Sequence, residues 1–183
     1  LYRFMAAHPE IDARISATMD YSNFTTDGVD VAIRMSPGVH PGLRVEKLLD
    51  EAVLPLCAPR LTEGPQGLRV PADLVRFPLI HYSLPTQQPG AIPTWDDWLR
   101  EAGVTGVDSA KGIRLNMVDH MLEAAIEGVG VALAYRTIAS GDVRSGRLVS
   151  PFGPVLPIVG RAYHLVYPPA HEQRAKVRAF RDW

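Results

Sequence analysis

The apolar positions between Asn116 and Arg136 change period partway along the stretch. Val118, Met121, Leu122, Ala125 and Val129 share one face of a predicted helix. Val131 to Ala134 is an unbroken run of small apolar residues, the pattern of a strand covered on both faces. Glu127-Gly128-Val129-Gly130 joins the two, and Gly128 sits where a residue past a helix end turns left-handed. Asn116 is expected to cap the first turn, its side chain accepting a backbone N–H that has no helical partner. A helix feeding a buried strand in this way is half of a βαβ crossover. Open α/β sheets bind ligands beyond the carboxyl ends of their strands. A binding cleft is therefore expected near Asn116 and near Tyr135–Arg136.

Elsewhere the pattern mixes short strands and helices. Leu1, Phe4 and Met5 mark the tail of an amphipathic helix closed by His8-Pro9. Ile11 to Thr18 alternates and predicts a strand. Tyr21 to Thr26 predicts a turn or short helix, and Asp27-Gly28 a turn into a strand over Val29–Arg34. Leu43–Leu49 and Glu51–Cys57 read as two further strands. Pro71 opens a short helix, and Pro78–His81 is a strand. An exposed loop is expected over Leu84–Pro93. Trp95, Trp98 and Leu99 have helical spacing, and Gly103 ends that helix. Lys111–Leu115 and Arg161–Tyr167 are strands, and Thr137–Val143 is helical. A last helix carries Val177, Phe180 and Trp183 on one face. Strands and helices mixed throughout argue for an α/β fold.

Composition narrows the function more than it identifies it. Net charge is −1 with a pI near 6.7, and no basic stripe exists for nucleic acid. The single Cys57 forms no internal disulfide. No apolar run approaches the ~20 residues of a membrane helix. The six histidines show no metal-ligand spacing, so no metal site is expected. The glycine turn follows a helix instead of preceding one, so it is not a dinucleotide fingerprint, and no cofactor is expected. No nucleophile elbow is present. Ser83, His81 and Asp96 have no spacing that demands a catalytic triad, so an enzyme is not expected. Arg34 ends the apolar run VAIR, where a parallel sheet would open to solvent. There it either binds a ligand carboxylate bidentately or pairs with a loop carboxylate. Thr18 and Ser36 lie at similar predicted strand ends. His81 follows a buried strand and is either a ligand contact or a structural histidine.

Beyond these readings the chain resembles a known family. The segments HPEIDARISAT, FTTDGVDVAIRMSPG and PGLRVEKLLDEAVLPLCAP carry the likeness. It continues through TWDDWLREAG, MLEAAIEGVGVAL, GRLVSPFG and AYHLVYPPAHEQRAKVRAFRDW. In order and spacing they resemble the effector-binding domain of LysR-type transcriptional regulators. The likeness is to the branch with the glycine-cleavage activator and the beta-lactamase regulators. The resemblance implies a type 2 periplasmic-binding-protein-like fold of two Rossmann-like lobes joined by two crossover strands. Lobe I would be residues 1–57 completed by 166–183, and lobe II residues 58–165. The family's first strand has no counterpart in these residues. A small-molecule effector, often carboxylate-containing, would sit in the inter-lobe cleft. Its contacts would be Thr18, Arg34, Met35, Ser36, His81, Tyr82, Ser83, Asn116, Met117 and Tyr135. Met117, where relatives often carry a more polar residue, would make the pocket less polar.

The resemblance also implies partners. The protein would be a homodimer or homotetramer, with Leu1–Ala7 packed antiparallel on roughly Asp119–Glu127 of a second copy. It would reach DNA only through the family's N-terminal winged helix-turn-helix domain, which is absent from these residues. A cytoplasmic location with no membrane contact follows. The alternative is an extracytoplasmic solute-binding protein of the same fold.

Overall fold

In the computed structural model, residues 1–18, 20–83 and 91–183 are described. Most of the loop expected over Leu84–Pro93 lies outside them. The chain forms two compact units, Leu1–Leu49 with Gly160–Trp183, and Asp50–Val159.

In the first unit, helix α1 (Tyr2–Ala7) and helix α5 (Ala175–Asp182) meet through aromatic rings. Phe4 is buried, with its ring 5.0 Å from Phe180 and 5.5 Å from Trp183, both edge-on. Strand β1 (Ala32–Ser36) pairs antiparallel with β6 (Leu156–Tyr167), Ala32 opposite Val166 and Ser36 opposite Ala162. Leu165, Tyr167 and Val177 form the core here, with Val31 and Phe180 packed against it. Asp30 ties the unit together through Arg174 at 3.1 Å and Lys176 at 2.7 Å. The predicted strand over Ile11–Thr18 is not formed; the segment is irregular and mostly exposed. Its alternation supplied a face, but no strand among the described residues pairs with its backbone.

Strand β2 (Arg44–Leu56) is one continuous strand, not two. The polar pair Asp50-Glu51 looked like a break in the sequence. Instead Glu51 is 1% exposed, and its Oε1 accepts the Ala52 and Thr137 backbone N–H groups at 2.8 and 3.1 Å. Both donors reach that one oxygen, which offsets part of the cost of burying the carboxylate inside a strand, while Oε2 is buried with no hydrogen-bond partner among the described residues.

In the second unit the strands run in the order β2, β5 (Val131–Tyr135), β3 (Leu79–Tyr82) and β4 (Ile113–Leu115). β2 is antiparallel to β5, whereas β3 is parallel to both β5 and β4. Helix α3 (Val118–Ile126) therefore makes the expected crossover from β4 to β5. Met121, Leu122 and Ala125 bury against Leu56, Ile80, Ala132, Ala134 and Leu148. Strand alternation turns Leu133 and Tyr135 to the opposite face. Helix α2 (Trp95–Glu101) begins at a Thr94–Asp97 capping box and buries both tryptophans. The Trp95 indole donates to the Ile80 carbonyl at 3.2 Å, and the Trp98 indole to the Pro154 carbonyl at 2.7 Å. Residues 140–144 form a short α4 (Ser140–Arg144).

α3 ends in a Schellman motif. The Gly128 N–H donates to the Ala125 carbonyl and the Val129 N–H to the Ala124 carbonyl, both at 3.0 Å. Gly128 has φ +66, as that motif needs. Val129 consequently leaves the helix and is 43% exposed, so it does not share the Met121 face as its spacing suggested.

Candidate functional site

A pocket of about 350 Å³ opens in the second unit, beside the carboxyl ends of the parallel strands β3 and β5. Four of the predicted site residues line it: His81, Tyr82 and Ser83 from the end of β3, and Tyr135 from the end of β5. The rings of Tyr82 and Tyr135 meet edge-on at 5.7 Å. Val53 and Leu133 form an apolar floor, and Ile92, Pro93 and Trp95 an apolar wall. Arg114 from β4 and Asp96 from α2 add charges of opposite sign, with Ser109 beside Asp96.

The polar groups are held by backbone. His81 Nε2 lies 2.9 Å from the Lys111 carbonyl, which only accepts, so Nε2 carries the hydrogen. Burial pulls the imidazole below its ordinary pKa. The Lys111 bond and Asp96 work the other way, and Arg114, the Cα partner of His81 across the sheet, adds to the lowering. Burial also pushes the Tyr82 phenol up. At neutral pH the pocket therefore presents a neutral imidazole and neutral hydroxyls between one cation and one anion.

Arg114, Asp96, Trp95 and Ser109 went unassigned as site residues in the sequence. Arg114 had one legible signal. It is a cation between Ile113 and Leu115, and strand alternation sends its side chain to the face opposite theirs.

The first unit holds the other predicted residues differently. Arg34 does not end a parallel strand; it is central in β1, antiparallel to β6. Its guanidinium donates to the Thr18 carbonyl at 3.3 Å, the Asp20 carbonyl at 2.6 Å and the Ser22 hydroxyl at 3.1 Å. It also lies 5.5 Å from the Tyr21 ring centroid. Thus it fastens Thr18, Asp20 and Ser22 through carbonyls and a hydroxyl, with no loop carboxylate among these contacts. Thr18 is exposed and lies on no strand. Arg34 and His40 line a second pocket of about 390 Å³ with Tyr21, Phe24, Val39 and Leu43. Met35 is half-buried. Ser36 is buried, its hydroxyl 2.8 Å from His40 Nε2 and 3.3 Å from His164 Nδ1, and it accepts the Gly38 N–H at 3.3 Å.

Asn116 and Met117 do not line the pocket of the second unit. Asn116 is not the cap: Met117 occupies that position, with no side-chain hydrogen bond. Both are exposed. β4 ends at Leu115, but the helix starts at Val118, one residue later than a cap at Asn116 requires.

An α/β chain with a mixed pocket at parallel strand ends has the form of a small-molecule-binding domain. The chain belongs to the LysR substrate-binding domain family, which matches residues 1–183. It is 37% identical over 183 residues to the glycine cleavage system transcriptional activator of Escherichia coli K12. That match takes in 100% of this chain and 57% of the relative, so the chain spans little more than half of that protein. Among solved structures it resembles the effector domain of the transcriptional regulator AmpR of Pseudomonas aeruginosa. The TM-score there is 0.73 at 28% identity, covering 100% of this chain and 83% of that one. The AmpR effector-binding domain from Citrobacter freundii gives 0.75 at 25% identity, covering 100% and 86%. The fold is accordingly the type 2 periplasmic-binding-protein-like fold of LysR effector domains.

Proposed function

We propose that the chain is the effector-sensing part of a bacterial LysR-type transcriptional regulator, and that its second-unit pocket receives the effector. The supporting observation is the convergence of His81, Tyr82, Ser83 and Tyr135 on one cavity at the ends of β3 and β5. Whole-chain likeness to transcriptional regulators favours this over a solute-binding protein. The effector contains a carboxylate that Arg114 receives. The regulator acts on DNA through a separate domain, works in the cytoplasm and assembles as a homodimer or homotetramer. Exposed Leu1 and Tyr2 on or beside α1, the latter 87% exposed, suit such a partner. Regulation then requires that the effector bind one arrangement of the assembly more tightly than another.

The test is a transcriptional reporter driven by the full-length protein. Ser83→Trp, which fills the pocket mouth, and Arg114→Ala should abolish the inducer response while circular dichroism and melting stay near wild type. An unchanged response in both folded variants sinks the pocket assignment.

A further inference from the structure

The charges of the second-unit pocket define a ligand class more narrowly than a carboxylate alone. Arg114 gives one N–H to the Ala110 carbonyl at 2.9 Å, and a guanidinium has four more. Asp96 accepts the Ser109 hydroxyl, and a carboxylate has further lone pairs to offer. Neither has an ion-pair partner among the described residues. Lining the same cavity, each leaves its charge available to a guest.

His81 stands under the influence of both, the carboxylate favouring its charged form and the guanidinium opposing it. With Nε2 committed to the Lys111 carbonyl, the neutral ring keeps Nδ1 as an acceptor. The pocket thus combines two acceptors, Asp96 and His81, with the donors of Arg114. Leu133, Ile92 and Trp95 supply apolar surface beside them. A simple anion would use Arg114 and leave Asp96 repelling it. A simple cation would meet the reverse problem. A molecule bearing both charges satisfies both groups.

We infer that the pocket selects small zwitterions, with an ammonium at Asp96 and a carboxylate at Arg114, as in an amino acid with an apolar side chain. This rests on the pocket being the effector site. About 350 Å³ admits a guest of that size.

The experiment is calorimetric titration of the full-length protein with alanine, leucine and phenylalanine, each as both enantiomers. N-acetyl-leucine removes the ammonium and leucinamide the carboxylate. At least one free amino acid should bind, and both blocked forms of leucine should bind at least tenfold more weakly than leucine. Asp96→Asn should abolish the penalty for acetylation, and Arg114→Gln the penalty for amidation, each leaving the other penalty in place. Each variant's melting temperature is taken first, so that lost folding is not read as lost selectivity.

Binding by no amino acid in the panel overturns the inference. So does equal binding of the free and blocked forms. If 4-methylpentanoate binds as well as leucine and drives the reporter, the zwitterion class is wrong but the effector-domain reading stands. If folded Ser83→Trp and Arg114→Ala both leave the reporter response intact, the assignment of this pocket as the effector site falls.

Discussion

Gly128→Ala isolates two effects at the end of α3, one in the backbone and one in a neighbouring side chain. A methyl group there would sit 2.5 Å from Arg60 Nη2 and 2.6 Å from its Nε. Arg60 Nη2 donates to the Glu127 carbonyl, one of the last acceptors of the helix. The methyl must therefore displace the guanidinium and lose a hydrogen bond worth about 0.5–1.5 kcal/mol net. Placing a Cβ at φ +66 costs a further ~1–2 kcal/mol. Reduced freedom of the unfolded chain offsets about 0.4–1 kcal/mol. The net loss is about 0.5–3 kcal/mol, centred near 2. Urea unfolding of Gly128→Ala, Arg60→Ala and the double variant separates the parts. Both single changes break the same hydrogen bond, so the double variant should lose less than their sum by about 0.5–1.5 kcal/mol. Additivity within ~0.3 kcal/mol would refute the argument that Arg60 is what the methyl strikes.

Met121→Ala should cost about 2–5 kcal/mol in urea unfolding, because Met121 is fully buried between α3 and the sheet; a loss under ~1 kcal/mol would mean the site collapses around the void. His81 should make stability fall in acid. Its folded pKa lies below the ordinary value of 6.5, so the unfolded chain binds the proton more readily. Its contribution is complete above that value and is lost as pH drops through the folded pKa. His81→Gln should flatten the melting-temperature profile between about pH 7 and 5, and parallel profiles for the two proteins would count against this. Cys57 is wholly buried and its thiol is pushed up to about 11. It should resist a disulfide reagent near pH 8 until urea unfolds the chain, and prompt labelling of native protein would contradict that burial.

The elements that were legible in the sequence carry their partners within a few residues. Met121, Leu122 and Ala125 announce one helix face, and Val131 to Ala134 a covered strand, because each pattern repeats inside its own element. Where the pattern depended on a distant neighbour it misled. Ile11–Thr18 has the alternation of a strand, but no strand among the described residues pairs with it. Asp50-Glu51 has the polarity of a break, yet Thr137, 86 residues away, supplies a second backbone donor to Glu51 Oε1. Val129 kept helical spacing because spacing ignores the change of hand at Gly128. The same reasoning explains the site. His81, Tyr82, Ser83 and Tyr135 were visible because strand ends in an α/β fold are a general place for ligands. Arg114 and Asp96 were not, since their placement on one cavity is set by the register of β4 and the seating of α2 on its tryptophans.

The Ser36 hydroxyl has one hydrogen and two lone pairs. Gly38 takes one lone pair, so the remaining lone pair and the hydrogen must serve His40 and His164 in opposite senses. One imidazole donates to Ser36 and the other receives from it. The tautomers of two histidines 124 residues apart are thereby linked through a single oxygen, and reversing one requires reversing the other. A proton arriving on the receiving ring would remove the acceptor that orients the hydroxyl. Burial, with His164 and Arg34 nearby, lowers the pKa of His40 and works against such a proton. The end of β1 is therefore ordered in its hydrogens as well as in its heavy atoms.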